Sequence, residues 1–257
     1  MNLEPVLPSG RAKLNPSPAV EAPAPLGPLI DFIRERHRQR DDLLRAEGDL
    51  TRRIKAICRR SVGYGTFLPA AEAKLRLAEA KALYEAIEKG EATTIAIVAM
   101  PLISARETIS ENLKHIERDL VKAVKQLPVY ESFVVPINGF GAIGLAQIVG
   151  EAGDLGEYAN PAKLWKRMGV GLVGDERQRK HTDKDKAAAH GYSPKRRSVV
   201  FVIGDSLLKK QNAYKELYDA RKVYEIQKAE AAGLTVVPAA KIPKGKEAAY
   251  RSQGHVH

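Results

Sequence analysis

Gly139, Phe140 and Gly141 interrupt an apolar run, and a segment of small residues, Ala142–Val149, follows at once. Glycine tolerates positive φ and lets main chain come close to a ligand. A helix that starts directly after such a turn offers free N–H groups and the positive end of its dipole to an anion. This is a phosphate grip, the device that helix-hairpin-helix proteins use on nucleic-acid backbones; a tight helix–helix turn without a ligand is the alternative. Gly139, Gly141 and Gly144 also spell G-x-G-x-x-G. A dinucleotide fingerprint, however, needs a preceding strand and a βαβ unit, and Ile103–Leu127 upstream reads as helix.

Basic residues gather just downstream. From Lys163 to Arg197 stand eleven Lys and Arg against four Asp and Glu, more than half of the chain's net +11. Phosphate contacts are expected from Gly139, Gly141 and Gly144 in the hairpin, and from Lys166, Arg167, Arg177, Arg179, Lys180, Lys195, Arg196 and Arg197 around it. Such contacts position a protein without reading sequence, so weak base specificity is expected. Trp165 could stack on a base, although its place between Leu164 and Met168 favours the core. His181, Asp183, Asp185 and His190 can be drawn as a metal site. Lys180, Lys184, Lys186 and Lys195 in or beside that segment raise the cost of a bound cation, so a solvated loop is the better reading. Ser193 and Ser198 lie among arginines, and helix capping suits Ser193 better than nucleophilic attack. No catalytic residue, metal ligand or cofactor is expected.

The elements that carry these groups read as helices. Residues 1–28 hold seven prolines with almost no apolar periodicity and predict a disordered tail. Leu29, Ile33, Leu43, Leu50, Ile54 and Ile57 fall on a and d positions of a broken heptad seam, which suits a coiled-coil arm or an antiparallel helical hairpin. Ala70–Lys89 reads as a second helix. Thr93–Met100 is a short apolar run of either type, ended by Pro101, and Ser104–Gln126 is a third helix. Asn160 and Pro161 open another helix. A polar, glycine-punctuated stretch spans Gly169–Ser193, one long helix runs from Arg196 to about Ala231, and an unpacked tail follows. The expected divisions are thus a tail (1–28), a helical arm (29–127), a helix-hairpin-helix domain (128–232) and a flexible tail (233–257). The fold class expected is mainly α.

Composition sets the outer limits. Of 257 residues 44% are hydrophobic and 6% aromatic, and 42 Lys and Arg face 31 Asp and Glu. A basic balance of this kind favours polyanionic partners through counterion release. One cysteine, Cys58, precludes an internal disulfide and a multi-cysteine zinc site. No apolar run approaches the roughly 18 residues of a membrane span. A soluble, cytoplasmic bacterial protein without membrane contact is expected.

The run from Val135 to about Lys228 resembles the C-terminal domain of insertion-sequence one-hundred-ten family transposases. The resemblance rests on Pro136-Ile-Asn-Gly139-Phe-Gly141, the small residues Ala142–Val149, and Gly150-Glu151-Ala-Gly153-Asp154-Leu155. Leu164-Trp165-Lys166-Arg167-Met168-Gly169-Val170 and Gly191-Tyr-Ser-Pro-Lys195-Arg196-Arg197 continue it, and the arm is similar to the helices preceding that domain. It implies a role in DNA transposition or recombination. In the family an N-terminal RuvC-like domain holds metal on four acidic residues, the C-terminal domain supplies a nucleophilic serine, and an RNA guide pairs with DNA. Here a Pro-rich tail stands in place of that acidic domain, and no serine occurs between Ser132 and Ser193. The chain is therefore expected to bind DNA, with a guide RNA as a further partner, without cutting strands alone. Self-association through the arm is expected. The alternatives are a recombinase subunit whose nuclease acts in trans, and a non-catalytic helical assembly protein.

Overall fold

Ile30, Ile33, His37, Ile54 and Cys58 lie buried on one stripe of a 36-residue helix, α1 (Leu26–Ser61). In a computed structural model, which describes residues 26–243, 245 and 247–252, this helix is the spine of a mainly α-helical protein. Most of the expected N-terminal tail lies outside the described residues. Its last three positions belong to α1, because Pro28 falls in the first turn, where its missing N–H is not needed.

A loop through Gly63 leads to α2 (Ala70–Glu88) and then to α3 (Thr94–Val124). Thr93 caps α3, its hydroxyl accepting from the Ala96 N–H at 3.0 Å. The apolar run and the third expected helix are one continuous 31-residue helix, with Pro101 inside it. Proline forfeits one main-chain bond. Burial of Ala96 and Ala99 before it, and of Leu113, Ile116 and Leu120 after it, holds the helix through the interruption.

Helices α1 and α3 run antiparallel, with Arg36 paired to Asp119, Arg40 to Glu117 and Glu47 to Ser110 along their length. Within the chain the arm is therefore an antiparallel helical hairpin. Two cores result. At the far end Ile54 and Cys58 pack with Ala80 and Ile87 of α2 and with Ala96 and Ala99. At the near end Ile30 and Ile33 join Ile116, Leu120 and Val124 in one cluster with Val134, Phe140, Leu145, Ala146, Val149, Met168, Val199 and Ile203 from further along the chain. The base of the arm thus shares its core with the basic half of the chain.

That half begins with a π-helical turn (Tyr130–Val134), the glycine hairpin, and α4 (Ala142–Ala152). Next come α5 (Pro161–Arg167), capped by Asn160, and a hairpin of β1 (Leu172–Val173) and β2 (Glu176–Arg177). α6 (Lys184–His190) follows, so the stretch expected to be loop carries a hairpin and a helix. The expected final helix is two, α7 (Pro194–Leu208) and α8 (Ala213–Ala231). Asn212 divides them: its side chain accepts from the Lys215 N–H at 2.9 Å while its amide donates to the carbonyls of Asn138 and Leu207. An asparagine so engaged starts a new helix rather than continuing the old one. After α8, β3 (Thr235–Val237) pairs in parallel with β4 (Tyr250–Ser252), so part of the expected flexible tail is paired. No helix among the described residues is long and apolar enough to cross a membrane.

Candidate nucleic-acid interface

The glycine hairpin is built against α7. Gly139 has φ +97°, and a Cβ there would lie 2.9 Å from the Ser206 carbonyl oxygen. Its glycine is thus demanded by the conformation and by the neighbouring helix. Gly144 makes ordinary contact with Ile203, so two of the three expected grip residues face protein. Gly141 differs. It is the N-cap of α4, in extended conformation, with open space where a side chain would stand and no side-chain cap bond. The first turn of α4 therefore keeps donors available beside an open surface.

A residue that sequence reading passed over organises the basic segment. Gln178 is 1% exposed. Its side-chain carbonyl accepts from the Gly171 N–H at 2.8 Å, and its amide donates to the carbonyls of Lys166 and His190. Its own main-chain carbonyl accepts from Arg197 at 3.0 Å. Its side-chain amide thereby joins the end of α5, the approach to the β1–β2 hairpin and the end of α6, and its main-chain carbonyl adds the start of α7. Lys166 and Arg167 are gathered beside Arg177 and Arg179, which flank Gln178 in the chain. The signal for it was a lone glutamine between two arginines, and nothing in that pattern reports burial.

The expected phosphate contacts divide into two groups. Lys166, Arg177 and Lys180 are exposed and form no ion pair among the described residues; Lys163, Lys184 and Lys186 are placed likewise. Arg167 is exposed and donates to the Glu151 carbonyl, and Arg179 pairs with Glu176 at 2.9 Å. Arg196 and Arg197 are half-buried, and Lys195, though exposed, reaches into an ion-paired cluster. Lys195 is ion-paired to both Asp41 and Glu151, and the Arg196 Nε lies 3.5 Å from Glu151. Arg197 also lies over the Tyr192 ring. The ion pairs of Lys195 and Arg196 join α7 to α1 and α4, whereas Arg197 is held by the Gln178 carbonyl.

That joint is an ionic cluster around Glu151, whose side chain is 9% exposed. The His37 Nε2–H donates to it at 3.1 Å. Burial alone would raise the Glu151 carboxyl; hydrogen bonds and charge from Lys195 and His37 outweigh it and hold the group below its ordinary value. Burial would lower Lys195, and its two carboxylate partners instead raise it. His37, Asp41 and Glu151 present a donor set of metal-binding type. The Lys195 ammonium already supplies the positive charge there. Gly150 makes room for this packing, since a Cβ on it would lie 2.4 Å from the His37 ring.

Trp165, expected in the core, is 56% exposed on α5, next to Lys166. Ser193 caps α7, accepting from the Arg196 N–H, as expected of it. Of the metal site drawn from sequence, Asp183 caps α6 through the Lys186 N–H. His181 and His190 do meet, with ring centroids 4.1 Å apart, and Glu176 joins them from β2. Compared with protein families, curated proteins and solved structures, the chain matches none of them.

Proposed function

We propose that this protein binds DNA through the surface formed by α5, the β1–β2 hairpin and α6, in the manner of a transposase-derived module that holds nucleic acid without cutting it. One observation carries this reading. Exposed cations that form no ion pair among the described residues (Lys163, Lys166, Arg177, Lys180, Lys184 and Lys186) lie on the segments that Gln178 ties together through the main chain of Lys166, Gly171 and His190, and the exposed Trp165 stands on one of them. Phosphates supply the affinity, and the indole offers a stacking face to an unpaired base. The open N-terminus of α4 adds donors for a backbone phosphate.

The role is positioning of DNA in transposition or recombination, with strand cleavage supplied by a separate nuclease subunit. A guide RNA presents the same phosphate and base chemistry. Exposed apolar residues on the arm, Leu75 and Leu77 of α2 with Ile97, Val98 and Met100 of α3, favour self-association there.

The chain has a single tryptophan, so its fluorescence reports on this surface alone. Titration with single-stranded DNA is expected to quench Trp165 emission saturably. Replacing Trp165 with alanine is expected to weaken binding by roughly 5- to 160-fold, the range of one lost base stack. Saturable binding with unchanged emission would remove Trp165 from the interface, and absence of binding at low salt would contradict the proposed function.

A further inference from the structure

Glu176 stands on β2, His181 just beyond the hairpin, and His190 at the last turn of α6. One donor atom from each lies within 4.8 Å of the other two. His181 Nε2 and His190 Nδ1 are both buried and have no hydrogen-bond partner, although His190 is 7% exposed as a residue. Buried polar atoms are nearly always satisfied, so two orphaned imidazole nitrogens beside one another need an explanation. His190 is also the only buried residue of α6, a seven-residue helix that contributes no side chain to either apolar cluster.

We propose that Glu176, His181 and His190 form a binding site for one zinc-class transition-metal ion that pins α6 to the β1–β2 hairpin. Two imidazoles and one carboxylate are a donor set that zinc accepts with three protein ligands, leaving a fourth position for water or a phosphate oxygen. Nitrogen donors select against magnesium and calcium, which take oxygen. Imidazole must be neutral to ligate. Glu176 must exchange its partner Arg179 for the ion. The spacing His181-x8-His190 was visible in the sequence, but the third ligand comes from the hairpin side of Gln178 rather than from Asp183 or Asp185.

The test is calorimetric titration of the chelator-stripped full chain with zinc chloride, and with cobalt(II) for its visible four-coordinate spectrum. One ion per chain is expected. His181→Ala is expected to weaken zinc about a hundred-fold or more, beyond the ~10–100-fold cost of losing an outer partner. Glu176→Gln is expected to weaken it about ten-fold or more, and His37→Ala to leave it unchanged. Circular dichroism of each variant confirms that it folds without metal. Absence of stoichiometric binding would overturn the site. So would binding that survives both His181→Ala and Glu176→Gln, or binding lost only when His255 and His257 are replaced.

Discussion

Gln178 and Gly141 separate two jobs that residues near a ligand can have. Gln178 touches no solvent and holds three segments by its amide, so its loss leaves buried N–H and C=O groups without partners. Gln178→Ala is expected to cost about 3 kcal/mol of stability, measured by urea denaturation, and to loosen the surface that carries Lys166 and Arg177. A side chain at Gly141 would meet only open space. Aspartate is a better N-cap than glycine by a few tenths of a kcal/mol, yet it places a negative charge where a phosphate would sit. Gly141→Asp is therefore expected to keep or raise the melting temperature while weakening DNA binding several-fold. Equal loss of both would mean that the position is structural. Sequence could distinguish neither role. G-x-G spacing reports a turn but not which of its faces meets α7, and a glutamine between arginines reports nothing about burial. Trp165 was misjudged for a related reason: apolar neighbours in sequence do not fix which side of a short helix faces out.

At the scale of elements, the joint between arm and basic half is electrostatic as well as apolar. Glu151 has its carboxyl held below the reference value of 4.5, so its contribution to stability is complete above that pH and is lost as pH falls through the folded-state value. Lys195, raised above its reference of 10.5, contributes below that pH and loses its part above it. Between these limits Glu151 and Lys195 are both charged. Glu151→Gln is expected to cost about 2 kcal/mol near neutrality, the low side of what breaking a buried pair costs because Lys195 is partly exposed. The variant is also expected to show a shallower stability loss than the parent below pH 4.5, measured by denaturation across pH. Parallel curves for the two proteins would mean that Glu151 contributes nothing. The helices themselves were legible from apolar spacing and caps: α2 and α5, and the body of α1, lie where periodicity, Asn160 and the glycines put them. Legibility failed where tertiary contact overrode a local signal. Pro101 stayed inside α3 because packing on α1 continues across it, and Asn212 split the last helix through bonds to the distant glycine hairpin.

For the whole molecule, the decisive quantity is how its charge is disposed. Sequence counting placed more than half of the net charge between Lys163 and Arg197, and the fold divides that segment. Lys195 and Arg196 are ion-paired to carboxylates of the protein and Arg197 is bonded to the Gln178 carbonyl, whereas Lys166, Arg177 and Lys180 are exposed and form no ion pair among the described residues. Binding to duplex DNA should therefore depend steeply on salt, and the dependence should trace to the free group. The measurement that tests this most directly is the slope of log K against log salt for the parent chain and for the triple variant Lys166→Ala, Arg177→Ala, Lys180→Ala. The slope is predicted to become shallower by about 2.7, close to 0.9 for each phosphate contact removed, with the fold unchanged. An unaltered slope, or no binding by the parent at low salt, would contradict the claim that this surface holds nucleic acid.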